Sequence, residues 1–124
     1  MSNDHPFSKP LGDGLVLRTA ASAQDVERVA AFDGRIHGPG IAPVVRNLFS
    51  HYPGASLRDL IFVEDEATGQ IVSSLCLIPW TWRCGDAVIP AGEMGIVGTL
   101  EAYRQRGLVR AQIAFFKQRL AERS

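Results

Sequence analysis

An arginine-rich passage near the end of the sequence carries its clearest chemical signal. The string Arg104-Gln105-Arg106-Gly107 leads directly into an amphipathic helical pattern, in which Arg110 lies in the first turn. The first turn of a helix offers unpaired N–H groups and about half a positive charge, and a glycine lets a ligand approach the backbone closely. Three arginines at this end oppose the helix dipole and cost stability unless an anion binds there. The passage therefore indicates a phosphate or pyrophosphate site.

The same passage also fits a solvated basic turn in which Gly107 serves only the backbone geometry. The preceding strand pattern favours the anion site, because it is interrupted by Gly92, Gly95 and Gly98, and glycines within a strand often mark a bulge or a close approach of another backbone. Two better-known phosphate motifs are excluded. No G-x-G-x-x-G follows a predicted strand, and no Gly-Lys-Ser/Thr is present.

Composition limits the remaining classes of function. The 124 residues carry 13 basic and 13 acidic side chains, so the net charge is zero and no global attraction to nucleic acid or an anionic membrane is expected. The longest apolar stretch, residues 71–82, is interrupted by serines and a proline and is too short to span a bilayer. Cys76 and Cys84 lack metal-ligand spacing, so no metal site is predicted. Two isolated thiols and no signal-like start favour the reduced cytoplasm.

The predicted strands and helices of the domain must hold the arginine-rich passage in position. We predict a flexible lead over residues 1–13 and one domain over residues 14–124. Ser22, three residues before Asp25, predicts the start of a first helix, and the apolar spacing of residues 41–52 predicts a second. The other predicted elements are strands over residues 14–20, 59–64, 70–82 and 87–99 and a helix over residues 107–123. The order β–α–α–β–β–β–α indicates an α/β (α+β) fold with a mixed, mostly antiparallel sheet flanked by helices.

The passage resembles the signature of the GNAT superfamily of acyl-CoA-dependent N-acyltransferases. That signature, Q/R-x-x-G-x-G/A, lies between the family's fourth strand and third helix. The segment Arg104-Gln105-Arg106-Gly107-Leu108-Val109 matches its first two fixed positions and departs from it at Val109. The wider string V-G-T-x-x-x-Y-R-x-R-G-L-x-R is similar to the enhanced-intracellular-survival-type branch, where Leu or Val is usual at that last position. The predicted element order also matches the family's opening half to two-thirds.

The resemblance implies an acetyl-CoA site along the last strand and the passage. Val97, Gly98 and Thr99 would offer backbone groups to the pantetheine arm in the manner of an added strand. Backbone N–H groups would hold the pyrophosphate, with charge from the three arginines; the residues implied are Arg104, Gln105, Arg106, Gly107, Leu108, Val109 and Arg110. The strand glycines would mark where the family's fourth strand bulges and splays from the fifth. A strand N–H would polarise the thioester carbonyl there.

The catalytic groups stay open under this resemblance. Direct attack of an amine on the thioester needs a base, and Glu93 is the carboxylate nearest to a general-base position, although a solvent-exposed strand residue fits it as well. Tyr103 fits packing better than acid chemistry. Trp80 and Trp82 share one face of a strand, and core packing and the lining of an acceptor pocket fit them equally.

The function that the resemblance implies is transfer of an acetyl group to a small-molecule or peptide amine, without nucleic acid, membrane or metal. Family members continue past the equivalent of Ser124, so the expected C-terminal part is missing and the chain is expected to be a fragment of a longer enzyme. The alternative is a natural truncation that acts as a non-catalytic binding or self-association module. Without a fifth strand, the edge of Ala87–Thr99 would be open and Phe115 or Phe116 would lose a neighbour. This predicts self-association through that edge and the last helix.

Overall fold

A single antiparallel sheet organises the computed structural model, which describes residues 6–123. Its strands, in chain order, are β1 Ser8–Gly12, β2 Leu15–Thr19, β3 Leu60–Asp65, β4 Gln70–Cys84 and β5 Ala87–Thr99. Each strand pairs with the next, so β1 and β5 form the two edges of the sheet within the described residues. The helices are α1 Ala23–His37, α2 Ile41–Leu48 and α3 Leu108–Arg123, with short 3₁₀ turns at Leu57–Asp59 and Glu101–Tyr103. The predicted α+β architecture and GNAT-like element order are confirmed, with β1 added in front.

Two apolar clusters cover the two faces of the sheet. The central strand β3 is buried on both faces, as expected for the continuous apolar run Leu60–Val63. One face packs against α3 through residues that include Leu75 and Phe115. The opposite face packs against α1 and α2 through residues that include Phe32 and Val45. The sheet therefore separates an α3 side from an α1–α2 side, and β5 presents residues to both.

A ring of four alternating charges fixes the start of α1 to the sheet. Ser22 caps the helix as predicted, since its Oγ accepts the Asp25 N–H at 3.3 Å. Arg18 on β2 contacts Asp25 at 2.7 Å and Glu64 at 3.2 Å. Arg28 contacts the same two carboxylates from α1. These charge-assisted contacts hold α1 in place across β2 and β3.

Three sequence predictions are wrong in their details. Within the predicted flexible lead, Ser8–Gly12 forms β1, because it pairs with β2 and because the Phe7 ring packs on Phe115 at 4.6 Å; residues 1–5 lie outside the described part. The second helix ends at Leu48 and not at residue 52, since Phe49 caps it through the Val45 carbonyl. Phe115 and Phe116 keep their neighbours, because β1, β2 and β4 contribute to the cluster that buries both rings.

A buried carboxyl lies between α1 and the sheet. Asp33 is only 1% exposed, and its Oδ1 accepts a hydrogen bond of 2.7 Å from the Ser74 hydroxyl on β4. Burial disfavours the charged form and raises the pKa of Asp33 to about 7, against the opposing effect of the Ser74 hydrogen bond. The folded chain therefore binds a proton that the unfolded chain releases at a lower pH.

We expect Asp33→Asn to remove a pH-dependent loss of stability. With a folded pKa of about 7 and an ordinary value of 3.8, the folded state binds more protons between these values, so the free energy of unfolding falls as pH rises through that window. Asparagine keeps an acceptor for Ser74 and carries no charge. The variant should gain about 1–3 kcal/mol over the parent at pH 8 and little at pH 4. Urea titrations across this range measure it.

The matched control is Asp13→Asn, which changes an exposed carboxylate on the β1–β2 turn. This control should retain the pH slope of the parent between pH 4 and pH 7. If the free energy of unfolding of the parent protein changes with pH in that window no more than that of Asp33→Asn, then Asp33 does not titrate as described.

Candidate functional site

The arginine-rich passage forms a tight loop between β5 and α3. Gln105 and Gly107 have φ values of 64° and 73°, in the left-handed region that favours glycine. The first hydrogen bond that closes α3 runs from the Ala111 N–H to the Gly107 carbonyl at 3.0 Å. The N–H groups of residues 108–110 therefore have no carbonyl partner within the helix. This is the backbone arrangement that an anion requires.

The arginines of the passage are exposed and not neutralised by neighbours. Within residues 6–123, neither Arg104, Arg106 nor Arg110 forms an ion pair. Arg106 lies over the ring of Tyr103 at 5.0 Å. The Tyr103 hydroxyl donates to Asp65 at 2.9 Å, and this hydrogen bond raises the pKa of Tyr103. Tyr103 thus packs and orients Arg106 and is tied to the end of β3.

An open cleft of about 490 Å³ separates the passage from the β1–β2 turn. Arg106, Gly107 and Leu108 line one wall, and Gly12 and Asp13 line the other. Along the chain, Glu101 is the acidic residue nearest to these arginines. The fold also brings Asp13 across the cleft, because residues 8–12 form a strand and do not extend away from the domain.

A bulge interrupts β5 just before the passage. Gly98 pairs with Ser74 and Gly95 pairs with Cys76, so Ile96 and Val97 together face the single residue Leu75. Ile96 adopts φ 52°, which costs a β-branched residue about 1–3 kcal/mol. The bulge lies between the glycines that the resemblance associated with it. Sequence reasoning missed Ile96 itself, because nothing about an isoleucine signals a left-handed backbone.

The strand glycines let neighbouring side chains approach the backbone of β5. A Cβ on Gly98 would lie 2.9 Å from Ile36 Cγ2 and 3.1 Å from His37 Nε2, both on α1. A Cβ on Gly95 would lie 2.9 Å from Ile78 Cδ1. No pattern in the sequence connects His37 with this strand, since the contact depends on how α1 crosses the sheet.

The remaining predicted site residues are held by hydrogen bonds to Ser73 and by side-chain packing. The Gly98 carbonyl accepts a hydrogen bond of 3.1 Å from the buried Ser73 hydroxyl, which also lies 2.8 Å from Thr99 Oγ1. Val97 packs against the cluster on the α3 side. Leu108 is buried, and Val109 is half-buried. These side chains are used in packing, so a ligand at this place would meet mainly backbone groups and arginines.

Glu93 and the tryptophans lie on the α1–α2 face of the β4–β5 hairpin. Glu93 is exposed and pairs with Ile78, and its Oε1 accepts a hydrogen bond of 2.8 Å from Trp80 Nε1. Trp80 is 45% exposed and Trp82 is 57% exposed. Of the two interpretations that the sequence left open for the tryptophans, core packing is therefore excluded.

Three other possibilities, a metal cluster, a reactive thiolate and a membrane-spanning helix, receive no support from the described residues. Within residues 6–123, no three His, Cys, Asp or Glu side chains come together as a metal would need. Burial raises the pKa of the Cys76 thiol to about 12, and that thiol contacts the Gly95 carbonyl at 3.4 Å, so Cys76 is not a thiolate at neutral pH. In the same part of the chain, none of the helices has the length and apolar character needed to cross a bilayer.

The fold is shared with a solved acyltransferase. No protein-family model and no curated protein matches the sequence. Among solved structures, the chain is similar to the crystal structure of Saccharomyces cerevisiae N-myristoyltransferase with bound myristoyl-CoA, with a TM-score of 0.72 and 16% sequence identity. The match covers 93% of this chain and 30% of the other. This likeness establishes a GNAT-like fold, and it does not extend to the enhanced-intracellular-survival-type branch.

We expect Gly98→Ala to destabilise the domain by about 1–3 kcal/mol, because the added Cβ must push α1 away from the bulge. The matched control is Gly40→Ala, where the backbone has φ −67° and no atom lies within 4 Å of the added carbon. Thermal or urea unfolding compares the two variants. Equal stability of the two would mean that α1 does not pack on β5 at Gly98.

Proposed function

We propose that the chain binds an acyl-CoA and belongs to an enzyme that transfers the acyl group, an acetyl group in particular, to an amine. The observation that carries this proposal is the order of features along one path. A bulged edge strand is followed by a left-handed loop and then by the start of α3, and the three arginines of this passage form no ion pair among residues 6–123. A phosphate group fits one end of this path and a polarised carbonyl fits the other.

The donor would lie along β5. Its pyrophosphate accepts hydrogen bonds from the N–H groups of residues 105–109, with Arg104, Arg106 and Arg110 supplying positive charge. The pantetheine arm pairs with Val97–Thr99 on the unpaired side of β5, as an added strand does. The thioester then reaches the bulge, where a backbone N–H of β5 that is not used in pairing with β4 polarises the carbonyl.

The chemical step is direct aminolysis of the thioester. The amine nitrogen forms a bond to the carbonyl carbon, the carbon–sulfur bond breaks, and the CoA thiolate leaves. A base takes the proton that the amine loses. Glu93 is the candidate for this base because it lies on β5 three residues before Ile96, with one carboxylate oxygen bound to Trp80 and the other without a hydrogen-bond partner among the described residues.

Packing at the bulge supports a short acyl group. The space beside Gly95 and Gly98 is already filled by Ile78 and Ile36, whose terminal carbons lie 2.9 Å from where a Cβ would be. A long chain would need these side chains to move, whereas an acetyl group would not. The fold neighbour binds myristoyl-CoA, so acyl-CoA use is supported by the fold and the acetyl preference by these two isoleucines. The 30% coverage of that neighbour supports a place for this chain within a longer enzyme.

We expect CoA to bind at the α3 N-terminus in a calorimetric titration. Arg106→Ala should weaken binding by about tenfold, since it removes a charge-assisted contact. Gly107→Asp should abolish binding, because a negative side chain at φ 73° both strains the loop and repels phosphate. Asp13→Asn should strengthen binding severalfold at low salt, because it removes the opposing charge across the cleft.

The control for this titration is Arg83→Ala, which changes an exposed arginine near the tip of the β4–β5 hairpin, away from α3. It should leave the affinity for CoA unchanged. Absence of binding at millimolar CoA, or binding that Gly107→Asp does not alter, would contradict the proposed function.

A second candidate function is a non-catalytic module that self-associates. The specific observation in its favour is the exposed end of the β4–β5 hairpin, where Trp82, Val88 and Ile89 are 57%, 55% and 43% exposed beside the unpaired edge of β5. An unprotected edge next to apolar side chains favours strand pairing between copies.

For this second candidate we expect dimers at micromolar concentration in sedimentation velocity, and Ile89→Lys should shift the protein to monomer by placing a charge in the interface. Val44→Lys is the matched control, because Val44 is equally exposed but lies on α2. A monomer at all concentrations, or the same dimer in Ile89→Lys, would reject self-association through this edge.

A further inference from the structure

The indole ring of Trp80 is held from two elements and still faces solvent. Its Nε1 donates to Glu93 Oε1 on β5 at 2.8 Å. The Tyr52 ring, in the segment after α2, meets it edge-to-face at 6.3 Å between centroids. Tyr52 is itself fixed, because its hydroxyl donates to the Pro79 carbonyl at 2.7 Å. Trp80 is nevertheless 45% exposed, so this ring is oriented without being buried.

A carboxylate without a cationic partner lies at the edge of this ring. Glu93 is exposed, and within residues 6–123 it forms no ion pair and only the one hydrogen bond from Trp80. A carboxylate accepts several hydrogen bonds, so its second oxygen can accept from a ligand. An aromatic face and a free carboxylate together recognise a cation through the ring quadrupole and direct charge.

We propose that Trp80, Tyr52 and Glu93 bind an alkylammonium group of the acyl acceptor. This inference rests on the proposed function, to which it adds the chemical class of the acceptor: an aliphatic amine that arrives protonated. The aliphatic carbons next to the nitrogen lie along the apolar face that continues to Trp82 and Ile89. A hydrated inorganic cation gains little from such a face and finds one carboxylate where it needs several oxygen ligands.

The position of this cation site relative to the bulge agrees with the chemistry. Glu93 and Gly95 lie on the same face of β5, and Ile96 follows directly, so the carboxylate is about 10 Å along the strand from the bulge. The three arginines lie beyond the C-terminal end of β5, on the other side of the bulge. Negative phosphate and positive amine are thus drawn to opposite sides of the bulge at which the thioester carbonyl would lie.

The test uses Trp80 as its own reporter. In Trp82→Phe, Trp80 is the single tryptophan of the chain, and its fluorescence is titrated with n-butylammonium chloride, with n-butanol and sodium chloride as neutral and ionic controls. We expect a saturable change with butylammonium only. Glu93→Gln keeps an acceptor for Trp80 Nε1 and removes the charge, and it should weaken the response at least fivefold. Glu101→Gln, an exposed carboxylate in the 3₁₀ turn after β5, should leave it unchanged.

Several outcomes would overturn the inference. These are an equal response to n-butanol, an equal response to sodium chloride, and a response that Glu93→Gln leaves intact. Tyr52→Leu gives an independent check, since loss of the ring should weaken the butylammonium response while Glu93 remains. CoA calorimetry on the same proteins separates the two proposals: CoA binding without an ammonium response rejects the cation site alone, and an ammonium response without CoA binding rejects the proposed function.

Discussion

The extra residue in β5 determines which side of the sheet each later residue faces. Side chains alternate along a strand, so an added residue reverses every position after it. Gly92 faces Leu120 on α3, and Gly95 faces Ile78 on the opposite side. Without the bulge, Gly98 would face α3 and Thr99 would point into α1. With it, Gly98 faces Ile36 of α1, and Thr99 reaches Ser73 on the α3 side. The unfavourable φ of Ile96 is therefore compensated by packing on both faces of the sheet.

The same strand separates charges of opposite sign. Beyond its C-terminal end, Arg104, Arg106 and Arg110 gather at the start of α3, and before the bulge Glu93 stands beside Trp80. A protein with zero net charge can in this way present a local positive field at one place and a local negative one nearby. At the start of α1, by contrast, Arg18, Arg28, Asp25 and Glu64 neutralise one another in a ring.

The features that could be predicted from the sequence are those that depend on neighbouring residues. The Ser22 cap, the apolar spacing of the helices and the exact extent of Ala87–Thr99 follow from local residue types, and the structure agrees with them. The sequence did not predict β1, because a segment rich in proline and glycine becomes a strand only by pairing with β2 and packing Phe7 on Phe115. Nor did it predict the left-handed Ile96, the contact of His37 with Gly98 or the raised pKa of Asp33. Each of these arises between elements that are distant in sequence.

The helix α3, which begins just after the arginine-rich loop and carries Arg110, is fixed in its second turn and near its end, so the N–H groups of its first turn are available to a ligand. In the second turn of α3, the buried Gln112 donates to the Ser73 hydroxyl at 2.7 Å and to the Leu108 carbonyl at 3.1 Å. Near the other end, the buried Arg119 pairs with Asp59 at 3.0 Å. The Ser73 hydroxyl also donates to the Gly98 carbonyl, so one side chain of β4 connects the helix to the strand just after the bulge. The loop between the strand and the helix spans only residues 100–107. Buried contacts therefore set the distance between the bulge and the N–H groups of residues 108–110 before any ligand binds. The conformational entropy of arranging these groups is lost on folding and not on binding.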